Sequence, residues 1–243
     1  PRLLEPALGG TDTTTRLQVH WHIRLEPCSA EIAAVRELPL RSRLRYGEMT
    51  AQTCSPSADA AERTGYTGEE DRLYRIEIHS GAETGAPSFK WSRNNGANVR
   101  AVRPSVTEPR IGRLTLDLSP ATSVVRQPRS IDIDTFVELL PEFDAGPHVQ
   151  GPVLRVIASA SDGNAVTLDT NGTTVDVRKI RLLRCWDQRS STVPVPGHAV
   201  RIAIEDGIDV VFDPNSRSDL RAGDYWTIPA RTSTADIDWP RVP

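Results

Sequence analysis

Three groups of side chains in this sequence have types and spacings that bear on chemistry. His20 and His22 stand two residues apart in TTRLQVHWHIRL, so on a strand both share one face, and His79 on a neighbouring strand would bring a third nitrogen to a metal ion. Acidic residues cluster at Glu69-Glu70-Asp71, at Glu205-Asp206 and at Asp236 with Asp238. Two such carboxylates flanking a glycosidic bond would serve as acid and base, and an exposed Trp91, Trp226 or Trp239 would stack on a sugar ring. The third group is Cys28, Cys54 and Cys185, none of which belongs to a CxxC pair. That spacing does not suit structural zinc, whereas Cys28 and Cys54 flank a compact excursion and form the candidate disulfide if the compartment is oxidising.

Each group also has a plainer account. Histidines two apart are the polar face of an amphipathic strand, and acids beside Gly or Ser are turn formers held in water. GxSxG is missing, as are the phosphate cradles GxxxxGK[ST] and GxGxxG. The expectation is therefore a fold that needs no metal and no organic cofactor. No residue is assigned a catalytic role, and Trp226, Trp239, Asp236 and Asp238 are the candidate carbohydrate contacts.

The elements that must position these residues are strands. Leu17, Val19, Trp21 and Ile23 alternate with Gln18, His20, His22 and Arg24. In LYRIEIH, Tyr74, Ile76 and Ile78 oppose Leu73, Arg75, Glu77 and His79, and GRLTLDL repeats the pattern, so sheets with one wet face are expected. Asn95-Gly96, Asp162-Gly163, Asn171-Gly172 and Asp206-Gly207 each separate two such runs, and these dipeptides supply the positive φ of tight hairpins. Only SAEIAAVREL, residues 29–38, reads as a helix, with Ser29 as N-cap. The fold class expected is all-β: an antiparallel β-sandwich-like domain from residues 1–128 and 184–243, one short helix, and a small barrel of SH3-like or OB-like type inserted at 129–183.

The chain of 243 residues, 38% hydrophobic and 25% charged, is long enough to bury a sizeable core. Its 29 basic and 32 acidic side chains give a net charge of −3 with both signs interspersed, which disfavours nucleic acid as a partner. Only Lys90 and Lys179 among those basic residues are lysine; the rest are arginine. No apolar run is long enough for a membrane-spanning helix. A chain that begins with Pro1 reads as a processed product or an excised piece of a longer one.

Four stretches carry a further signal: DTTTRLQVHWHIRL (12–25), GYTGEEDRLYRIEIHSG (65–81) running on to FKWSRNNGANV (89–99), RCWDQR (184–189), and EDGIDVVF with RAGDYWTIPARTSTADIDWP (205–240). Together they resemble the bacterial domain of unknown function 6519. The resemblance implies a particle-associated role in phage-tail-like or extracellular contractile injection clusters, as a structural or adhesive part. It further implies other particle subunits or further copies of this chain as partners, and assembly in the cytoplasm followed by release. No enzymatic activity comes with it. The alternative is a carbohydrate-binding module or polysaccharide-active enzyme at a cell envelope, with a surface glycan as partner. Within the motifs, Trp91, Arg93, Asn95, Gly96, Asp224 and Tyr225 read as residues that lock the sheet, and Arg93 and Arg231 are expected to pair with Asp187 or Asp224.

Overall fold

In the computed structural model, residues 48–53, 65–103, 112–119, 131–141 and 150–239 are described in full, and 4–5, 11–12 and 43–44 as backbone strands. The expected strand with His20 and His22, the helix expected at 29–38, Cys28 and Cys54 lie outside the described residues.

Alternation of apolar and polar residues builds the first sheet. Strand β5 (Arg72–Ser80) pairs antiparallel with β6 (Ser88–Ser92) on one side and β16 (Asp224–Arg231) on the other. β13 (Val193–Pro194) and β17 (Asp236–Ile237) extend the edges, and β3 (Arg43–Leu44) runs parallel to the start of β16. A three-stranded sheet of β14 (Ile202–Glu205), β15 (Ile208–Phe212) and β4 (Met49–Thr53) faces it. Between the two lies one core: Tyr74, Ile76, Ile78, Phe89, Trp91, Trp226 and Ile228 meet Met49, Ala51, Ile208, Val210 and Phe212. Phe212 joins the layers, with its ring 5.2 Å from Phe89 and edge-on to Trp226 at 5.7 Å.

The second body is a six-stranded curled sheet in the order β7 (Val99–Ala101), β12 (Ile180–Trp186), β9 (Phe136–Pro141), β10 (Val153–Ser159), β11 (Ala165–Asp169) and β8 (Arg113–Asp117). Its edge strands meet at one end through an antiparallel bridge between Val102 and Leu118, flanked by Arg103 N–H donating to Asp117 O at 2.8 Å. Leu114, Leu116, Leu118, Val137, Leu139, Val156, Leu168 and Leu183 fill its interior. The fold class is thus all-β and antiparallel, with one curled sheet. This sheet takes in more chain than 129–183: β7 and β8 are hydrogen-bonded members, and Leu114 and Leu116 of β8 belong to its core. A separate pair, β1 (Leu4–Glu5) and β2 (Thr11–Asp12), forms a hairpin within residues 1–38.

The four Asn/Asp-Gly turns divide by what they connect. Asp206 (φ 49°) and Gly207 (φ 77°) close the β14–β15 hairpin, and Asp162-Gly163 lies in the β10–β11 loop. Asn95 (φ 56°) and Gly96 (φ 64°) make an equally tight turn, yet β6 before it and β7 after it belong to different sheets. Asn171-Gly172 likewise redirects the chain toward β12 by way of a short 3-10 turn at Val177–Lys179. The backbone chemistry of such dipeptides fixes a reversal but not which sheet receives the next strand.

Candidate functional site

On β5 the face opposite the sandwich core carries Arg75 and Glu77, and on β6 it carries Ser88, Lys90 and Ser92. Charged residues alternating with apolar ones predict a solvated face, but this face is covered. Lys90 is 0% exposed, Glu77 3% and Arg75 9%, because β9 and β12 of the curled sheet pack over them. Burial of so many charges is tolerable only when each is paired.

The pairing is complete and ordered by register. Glu77 and Lys90 sit directly opposite each other across β5 and β6, with Lys90 Nζ 3.3 Å from Glu77 Oε1. Arg75, two residues before Glu77 on the same face, grips Glu77 Oε2 through Nε at 2.6 Å and Nη2 at 2.5 Å, and stacks its guanidinium 3.6 Å over the Tyr225 ring. From the curled sheet, Glu138 on β9 accepts from Lys90 Nζ at 2.6 Å and from the Trp186 indole N–H at 3.0 Å. Lys90 Nζ also lies 4.6 Å from the Trp186 ring centre. Its remaining partner is the side-chain oxygen of Gln150, to which it donates a short hydrogen bond.

Gln150 is held there by the next residue. Gly151 N–H donates to Glu138 Oε1 at 3.2 Å, and a Cβ on Gly151 would collide with the Leu139 carbonyl oxygen, so only glycine lets this segment lie so close to β9. Burial pushes the Glu77 carboxyl upward, but Lys90, Arg75 and Arg184 outweigh it and hold Glu77 well below the usual carboxylate range. His79, further along β5, is driven down to about 4 by burial and by the Lys90 charge, and its Nδ1 has no hydrogen-bond partner.

The recognised motifs zip this site together. Trp91 N–H donates to Gln188 Oε1 at 3.1 Å, Asp187 N–H to Trp91 O at 2.9 Å, and Arg93 N–H to Asp187 Oδ2 at 2.9 Å, so RCWDQR runs along FKWSRNN. Arg93 pairs with Asp187 at 3.3 Å, as the sequence suggests, and also with Glu205 at 2.8 Å. Arg231 instead bridges Asp238 at 2.8 Å and Asp71 at 3.4 Å on the surface, while Asp224 is buried and accepts from Arg221 N–H at 3.0 Å. Gly96 lies under Arg184 and Arg75, a Cβ there meeting Arg184 Cδ at 3.5 Å.

The candidate sugar contacts fall elsewhere and do not form one platform. Trp226 is 0% exposed at the centre of the sandwich, so no ring face is free for stacking. Trp239 is half-buried against the same core, Asp236 Oδ1 accepts from Thr53 at 3.1 Å, and Asp238 is held by Arg231. Sequence reasoning missed Lys90, Glu138, Gln150 and Trp186. The available signals were a lysine between Phe89 and Trp91 in a chain with one other lysine and the rest arginine, and a single carboxylate inside the apolar run FVELL.

An all-β protein whose sandwich and curled sheet are clamped by a buried charged cluster is the class that this fold and site define. A family model matches residues 30–242, and the chain belongs to that family, described as a family of unknown function, DUF6519. No curated protein and no solved structure matches the chain.

Proposed function

We propose that this protein is a non-enzymatic structural or adhesive component of a phage-tail-like or contractile injection particle, assembled in the cytoplasm and released with it. The observation that carries this reading is the clamp itself. Polar side chains at the heart of the molecule, Arg75, Glu77, Lys90, Glu138 and Trp186, are consumed in joining two β-bodies into one stiff unit. A particle component that must transmit force benefits from such a joint, since hydrogen-bonded charges fix register as well as contact. Partners are then other particle subunits or further copies of this chain.

The test is to purify particles from a producing strain, sediment them, and label them with gold-conjugated antibody to this protein. Label at one repeated position on intact particles is expected. Absence of the protein from every particle fraction, while it is present in the cell, would overturn the reading. Binding to purified envelope polysaccharide without particles would instead favour a free glycan-binding module.

A further inference from the structure

The Lys90 amine lies against both Glu138 and, at the rim of the buried site, Gln150, and this trio does more than satisfy hydrogen bonds. We propose that the Lys90 amine and the Gln150 side-chain amide join in an intramolecular isopeptide bond, with Glu138 as the catalytic carboxylate. The inference is independent of where the protein acts.

The choice of residue comes first. Arginine fills all but two of the 29 basic positions, yet among the described residues the one cation that is 0% exposed and faces an amide is a lysine. An arginine could pair with two carboxylates at least as well, but a guanidinium stays protonated and cannot be a nucleophile, whereas a desolvated lysine amine can. Geometry comes next. Lys90 Nζ donates to Gln150 Oε1 and, at 2.6 Å, to Glu138 Oε1, so the nucleophile touches both electrophile and proton acceptor before any reaction. Gly151 N–H and the Trp186 indole N–H fix the Glu138 oxygens at 3.2 and 3.0 Å, and the close approach at Gly151 fixes Gln150. Glu77 gives Oε2 to Arg75 and keeps its Oε1 3.3 Å from Lys90 Nζ, so Glu138, at 2.6 Å, is the carboxylate nearest the amine.

The step balances without any other reagent. The Lys90 ammonium gives one proton to the Glu138 carboxylate, and the resulting amine lone pair attacks Gln150 Cδ. In the tetrahedral intermediate a second amine proton passes, by way of Glu138, to the amide nitrogen Nε2 of Gln150. The Cδ–Nε2 bond then breaks and ammonia leaves, while the new Nζ–Cδ bond remains as a neutral amide. Glu138 ends as a carboxylic acid hydrogen-bonded to that amide. A buried ion pair is thereby exchanged for two neutral groups, the direction that a low-dielectric site favours.

The experiment uses the full chain, purified and incubated at neutral pH, then unfolded and reductively methylated. With only Lys90 and Lys179 present, the side-chain amines to be counted are two. The expected result is an intact mass lower by one ammonia, methylation of Lys179 and not Lys90, and a tryptic product in which residues 76–93, uncut at Lys90, are linked to residues 130–155. Ring closure at Asn95-Gly96 or Asn171-Gly172 also releases ammonia, but it leaves Lys90 open to methylation. Glu138→Gln should abolish the link, and Gln150→Ala, at the rim of the site, should restore the full mass and methylation of both lysines in a folded protein. Full methylation of Lys90 in the wild-type protein, with no linked peptide pair, overturns the proposal.

Discussion

Replacing Glu77 by glutamine keeps the side chain's shape and removes only its charge. In the folded protein before any link to Gln150 forms, Glu77 neutralises two buried cations at once, Arg75 through contacts of 2.5 and 2.6 Å and Lys90 at 3.3 Å. Glutamine would leave the Arg75 guanidinium, 9% exposed, without its anion. Breaking one side of a buried pair costs about 3–5 kcal/mol, because the surviving charge stays desolvated. For a chain of this size that corresponds to a fall in melting temperature of roughly 6–20 °C. Removing both charges in Arg75→Gln/Glu77→Gln leaves no orphan, so the double variant should be less destabilised than the sum of the singles by about 2 kcal/mol or more. Urea unfolding followed by intrinsic tryptophan fluorescence, across the four members of the cycle in a Gln150→Ala background where Lys90 keeps its charge, measures this directly. A Glu77→Gln cost under about 1 kcal/mol, or additivity of the two single changes, would refute the view that Glu77 is the counter-charge of the clamp.

Three further outcomes are expected. His79 titrates near 4 when folded and near 6.5 when unfolded, so the unfolded chain binds its proton first; stability is full above about pH 6.5 and declines by about 2 kcal/mol toward pH 4, allowing for partial exposure. His79→Leu should flatten that slope, and the separate loss from Glu77 sets in as pH falls through the ordinary carboxylate range, where the unfolded chain takes up a proton that the folded carboxyl still refuses. Burial pushes the Cys185 thiol up to about 12, so peptide mapping after iodoacetamide treatment should show Cys185 reacting at least about 100-fold more slowly in folded than in unfolded protein; rapid native labelling would contradict its placement. Deleting Ile131–Leu183 removes β9, β10, β11 and most of β12, strips the cover from Leu114, Leu116 and Leu118, and should give aggregation by light scattering. Junctions at about 98 and 187 should instead leave soluble protein, and the reverse ranking would show that the curled sheet is not one folding unit.

Strand periodicity made the sandwich legible. In Asp224–Arg231 every second residue is buried, and Tyr74, Ile76 and Ile78 point into the core as their spacing implies. The candidate site was not legible, for a physical reason. Alternation separates one face of a strand from the other, but it cannot say whether the polar face meets water or a second sheet. Arg75 and Glu77 look the same in both cases, and the outcome depends on β9 and β12, which are distant in sequence. For the same reason Trp226 offered itself as a sugar contact: its rank among exposed or buried tryptophans depends on β15, whose Phe212 seals it. Arg93 with Asp187 was predictable because both motifs carry their charges at fixed offsets from apolar anchors; Gln150, within a loop, had no periodic context.

The placement of β7 to β12 between β6 and β13 also sets an order of events during synthesis. Every strand of the curled sheet lies between Val99 and Trp186, whereas β5 cannot pair with β16 until residues 224–231 have emerged. At ordinary rates of translation the inserted body can close its core while the sandwich is still half a sheet, with Tyr74, Ile76 and Ile78 uncovered. Lys90 then meets Glu138 on a surface already formed, and the clamp acts as a template on which β5 and β6 wait for their last partner. A nascent chain stalled before residue 224 would thus carry a finished inserted body and an exposed apolar strand, the species most in need of a chaperone.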